Sequence, residues 1–298
     1  IHNVETITGG SGNDHVTADA YLISADLGDS TDDSITFDTS DTVEVTLSGV
    51  ETVTTGTADI TLHGVTAGDS VTVVAAALDS GSLLTVDGLA DFTVDNLAGD
   101  ITNTSTGTVE ISVAAGDHVI TTGADVVVHA DGAGSSDTIT LQGIGGVSGN
   151  NTVEGLASTL SLDATNTGTT QVITGRGDAA IVANALAGAV SIDATSLDNA
   201  STLTLQGGAT GSTHAFTVSN LTGDVDAASL DSALTIGLLN NTADNEVVIA
   251  TGSNTTSIQD AAAGDTIEVN AAAVADDTLL SLAGEGNYMV SDLQGDLK

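Results

Sequence analysis

Carboxylates dominate the residues able to do chemistry. The 298-residue chain carries 41 Asp and Glu against two basic residues, Arg176 and Lys298, for a formal charge of −39. One carboxylate sits in a telling context. Residues 9–17, GGSGNDHVT, fit the pattern G-G-x-G-x-D-x-U-x over its whole length. Glycines permit left-handed backbone and let carbonyls converge, while the aspartate adds charge, and this hard oxygen set suits Ca²⁺. The expected ligands are Asp14 and backbone oxygens near Gly10 and Gly12. The same turn without metal is the alternative. Asp29, Asp32 and Asp33, followed by SITF, form a looser copy, and Gly132, Gly134 and Asp137 echo it with one residue too many before the aspartate. Asp33 and Asp137 are the further calcium candidates, each set against a solvated loop.

Other chemistries lack their residues. A polysaccharide-active site needs a carboxylate pair or basic groups and wants aromatic platforms, yet the chain has no Trp, two Tyr, three Phe and one internal basic residue. Arg176 opens an Arg-Gly-Asp tripeptide over 176–178, an integrin-like match that reads more simply as a turn. His2, His15, His63, His118, His129 and His214 show no ligand spacing. Without Cys, neither disulfides nor thiolate sites form. The expectation is a protein that is not an enzyme. With no basic patch, nucleic acid is excluded as a partner, and anionic membranes and acidic polysaccharides are repelled. No signal peptide, membrane-spanning run or lipidation motif is visible.

The elements that must position these residues announce themselves by repetition. Residues 91–101 read DFTVDNLAGDI, 215–225 AFTVSNLTGDV and 287–297 NYMVSDLQGDL. Three of the five aromatics, Phe92, Phe216 and Tyr288, fall at one place in this phrase. Weaker copies put marker residues at Val65, Leu156 and Leu186, beside Leu97, Leu221 and Leu293. Two long gaps suggest degenerate copies near Val127 and Ile258, which makes about 33 residues per unit, a solenoid-like period. Segments such as VEISVAA, TITLQG and TLTLQG alternate apolar and small polar residues, as half-buried strands do. Val, Leu, Ile and Ala with almost no aromatics suit a thin interior filled layer by layer, and the absence of proline suits strands that all donate hydrogen bonds.

The predicted fold is therefore all-β: an elongated, right-handed parallel β-solenoid with coils of about 30 residues. A row of β-sandwiches is the competitor. Val94, Leu97, Val218, Leu221, Val290 and Leu293 should be buried in equivalent places, with the three aromatics in register. Residues 1–298 read as a single segment of a longer protein, with the calcium turn in 1–17 and terminal repeats in 244–298. Within the latter, 271–282 could form a short helical turn. Ordered threonine rows match strand propensity and, as a minor reading, an ice-binding face.

The glycine turn, the phrases IHNVETIT and LSGVETVT, and the near-absence of Lys and Arg resemble the RTX proteins. The Thr/Ala/Gly/Val/Asp-rich body is similar to RTX-type S-layer proteins and large repeat adhesins. SIQDAAAGDTIEV resembles the segment closing many RTX β-rolls, with Asp260, Gly264 and Asp265 matched and Ala261 where an aromatic is usual. The resemblance implies calcium between stacked turns, type I secretion from a Gram-negative bacterium and folding after export. Consecutive nonapeptides are missing, so an isolated site is expected rather than a row of ions. The implied function is an extracellular, cell-surface structural protein that self-associates into a rod, lattice or filament. A repeat adhesin stalk with its binding tip elsewhere is the alternative and a β-helix polysaccharide-active enzyme a minor one; contact with cell-surface polysaccharide through other regions is a further partner reading.

Overall fold

A run of alternating residues can bury one face only if another sheet covers it. In this computed structural model, which describes residues 1–145, 148–184, 188–208, 215–239 and 246–298, the covering sheet comes from the same chain half a coil later. The chain forms two compact units, Ile1–Ala133 and Gly134–Lys298. In each, successive strands alternate between two sheets, and every described pairing is parallel, as in Thr6–Gly10 with Ser24–Gly28 and His15–Ala18 with Ser34–Phe37. Two strands and their corners make one coil of a β-solenoid. The described residues contain no helix.

Inward residues of successive coils stack into columns. In the first unit Ile35, Val53, Val73, Val94, Ile111 and Val128 form one column, each 0% exposed. In the second unit Val153, Val172, Ile192, Val218, Ile236 and Ile258 form another, each at most 1% exposed. A buried Val or Ile contributes roughly 1.5–3 kcal/mol relative to an exposed one. Many short aliphatic layers thus replace the aromatic bulk of a globular core.

The repeated phrase is a corner. Asn96, Asn220 and Asp292 all have positive φ, at 55°, 56° and 55°. Asn and Asp tolerate this conformation because their short polar side chains hydrogen-bond locally. The bend turns the next residue inward, and Leu97 and Leu221 are both fully buried. Gly49, Gly155 and Asp260 make the same left-handed step, placing Val50, Leu156 and Ala261 inside. The degenerate copy expected near Ile258 is therefore present.

Three expectations change. Coils are shorter than 30 residues: Val94 pairs with Ile111, 17 residues on, Leu160 with Ile181, 21 on, and Ile192 with Val218, 26 on. The phrase gave too long a period because it marks a corner of either sheet, and many coils turn without it. Phe92 and Phe216 end buried as expected, but Tyr288 lies in the strand Asn287–Ser291, which follows the other sheet, paired with Thr266–Asn270. Tyr288, Val290 and Leu293 are only half-buried, since the last described coil covers one side of them. Residues 271–282 form turns and the start of the strand Leu279–Gly284. Leu186 and His214 lie outside the described residues.

Candidate functional site

The glycine turn precedes the strand His15–Ala18 and is closed by its own aspartate. The Gly10 amide donates to Asp14 Oδ2 at 3.0 Å. A Cβ at Gly9 would stand 2.4 Å from the same oxygen and 2.5 Å from the Leu27 carbonyl, so glycine is required there. The Gly10 carbonyl does not turn toward Asp14. It points along the stack, 1.9 Å from where a Cβ on Gly28 would be. Open space surrounds the Cβ positions of Gly10 and Gly12. Asp137 closes its turn in the same way, accepting from the Gly134 amide at 2.6 Å, and Asp265 accepts from Ala262 at 2.7 Å. The structure brings Asp14 and Asp33 together; Asp137 belongs to the other unit.

Asp14 and Asp33 meet because the register aligns them. Val16 stacks on Ile35 and Ile35 on Val53, so the residues two places earlier, Asp14, Asp33 and Glu51, share an inward phase in successive coils. The Asp14 amide donates to Asp33 Oδ1 at 2.7 Å, and the Asp33 amide to Glu51 Oε2 at 2.8 Å. Asp33 is 0% exposed, and its second oxygen, Oδ2, is buried without a hydrogen-bond partner. A buried polar atom left without a partner costs about 1–3 kcal/mol. A cation at Oδ2 would remove that cost, and Asp33, Asp14 and Glu51 are the residues positioned to attract it. Among the described residues, no three His, Asp or Glu side chains converge on a single metal-sized point. The arrangement offers one unpartnered carboxylate oxygen and not a carboxylate cage.

Glu51 was not a sequence candidate. The tetrapeptide acid-x-aliphatic-Thr, read as DHVT at 14–17, DSIT at 33–36 and ETVT at 51–54, also occurs as ETIT at 5–8, DSVT at 69–72 and DTIT at 137–140, so it was too common to single Glu51 out.

Many other carboxylates have a different task. In the Gly-Asp step ending the repeated phrase, a Cβ on Gly99 or Gly223 would lie 2.3 or 2.5 Å from the carbonyl of Ser82 or Ser201 one coil back. The aspartate then reaches one coil forward. Asp100 accepts from the Val119 amide at 2.8 Å, Asp224 from Val248 at 2.8 Å, and Asp178 from Thr202 at 2.9 Å. The Arg-Gly-Asp tripeptide shares only the aspartate's half of this step, since Gly177 has no close carbonyl but Asp178 is engaged inside the chain.

The histidines divide by environment. His118 is buried, with Nδ1 at 2.9 Å from the Gly99 carbonyl and Nε2 at 3.0 Å from that of Ala114. His15 Nδ1 lies 2.7 Å from Ser34 Oγ on the neighbouring strand. His63 stands on the outer face of Ile60–Gly64, between Glu44 and Asp87. Burial lowers its pKa, but the hydrogen bonds and charges of Asp87 and Glu44 outweigh that and raise it above the ordinary 6.5. In Asp163, hydrogen bonds from the amide and hydroxyl of Thr165 hold the carboxyl below its ordinary 3.8. In Asp193, burial opposes the same effect, but bonds from Thr195 and Asn220 prevail.

Compared with known families, curated proteins and solved structures, the chain matches none.

Proposed function

We propose that this chain is a structural segment of an extracellular surface protein, a calcium-stabilised solenoid that self-associates into a lattice or filament. The observation carrying this reading is the Asp14–Asp33–Glu51 stack, with the buried, unpartnered Oδ2 of Asp33 inside a chain of charge −39. Such charge opposes compaction unless cations neutralise part of it, and a hard oxygen site suits Ca²⁺. The glycine turn's likeness to RTX proteins supports the same ion and is the ground for reading the protein as extracellular. Its acidic outer faces would also let divalent ions bridge neighbouring copies.

Negative-stain imaging with calcium and with chelator tests the assembly. Calcium-dependent sheets or filaments are expected. Dispersed particles in both conditions would instead favour an adhesin stalk. Turnover of a polysaccharide would overturn the structural reading in favour of an enzyme.

A further inference from the structure

Three successive strands of one sheet, Val43–Ser48, Ile60–Gly64 and Leu83–Gly88, carry a charge arrangement unlike the amide-capping carboxylates elsewhere. His63 is in the middle strand, aligned with Thr46 on one side and Asp87 on the other. Its Nδ1 lies 2.6 Å from Asp87 Oδ1, and its Nε2 lies 3.3 Å from Glu44 Oε1. Both ring nitrogens therefore face carboxylate oxygens, which only accept. A neutral imidazole has one N–H and can donate to one of them; the imidazolium donates to both.

We propose that His63 is a proton-operated clamp, joining three successive coils when protonated and releasing one of them when it loses its proton. The charged groups on the flanking strands are Glu44 and Asp87, and the aligned neighbours Thr46, Thr61 and Thr85 carry no charge. On deprotonation, a ring lone pair meets a carboxylate oxygen and repels it. Glu44 is the partner that leaves, because its bond is longer and its side chain is 76% exposed, against 31% for Asp87. The raised pKa of His63 sets the direction. Stability from the clamp is fully present below the ordinary histidine value and is lost as pH rises through the higher folded one. In a chain with only two Lys and Arg residues, this is a local countercharge that a protonated histidine supplies.

The test is an NMR titration of the histidines, with amide hydrogen exchange of the three strands on either side of the transition, corrected for intrinsic rates. In the native chain His63 should titrate above the ordinary value, and protection of the three strands should fall several-fold as it deprotonates. Asp87→Asn should bring the midpoint down, Glu44→Gln should do so by less, and His63→Gln should keep the fold while abolishing the pH dependence of protection. An unchanged midpoint in Asp87→Asn, or a pH dependence that persists in His63→Gln, would overturn the clamp.

Discussion

At the scale of single residues, position in the stack decides what a glycine or a carboxylate does. Gly28 has a φ of +104° and faces the Gly10 carbonyl 1.9 Å from its would-be Cβ. Gly28→Ala should therefore destabilise by at least the roughly 1–3 kcal/mol of a residue forced into a sparse backbone region. Gly10→Ala, in open space, should stay within about 0.5 kcal/mol. Chemical denaturation of the two variants checks the contrast. The sequence pattern singled out Gly10 and left Gly28 unremarked, because a close approach between coils is set by register, which single-chain spacing does not contain. Asp33 was legible as a candidate from its neighbouring aspartates. That its side chain lies inside was not, since burial there follows from Ile35 stacking between Val16 and Val53.

At the scale of the element, the corner is the unit that repeats. Leu97→Ala should cost about 2–5 kcal/mol, as a fully buried leucine does. Leu293→Ala, in the same phrase but half-buried, should cost under about 1 kcal/mol. Equal losses in thermal unfolding would show that the phrase rather than its place sets the energy. The phrases SLDAT and SIDAT make a second repeated element, turns in which Thr165 and Thr195 donate to Asp163 and Asp193. Both carboxyls are held below 3.8, so their contribution is present above that value and is lost as pH falls through the lower folded pKa. Replacing both by Asn should flatten the acid limb of Tm against pH below about pH 4. An acid limb of unchanged slope would remove these turns from the account. The strands and the corner phrase could be read from alternation and from three aromatics. The corner's indifference to sheet could not, because Asn220 and Asp292 look equivalent in sequence and differ only in which sheet they leave.

At the scale of the molecule, alternation, missing proline and a recurring phrase pointed to a parallel solenoid, whereas the coil length was overread because only some coils carry the phrase. The charge raises the larger question of what neutralises it. A ligand that binds only the folded chain stabilises it by about 2.7 kcal/mol at a concentration one hundred times its Kd. The direct test is the melting temperature in calcium and in chelator, for the native chain and for Asp33→Asn. Calcium should raise the native Tm, and Asp33→Asn should lose most of that increment, whatever its Tm in chelator. A native Tm indifferent to calcium, or a full increment retained in Asp33→Asn, would contradict a calcium site at Asp33.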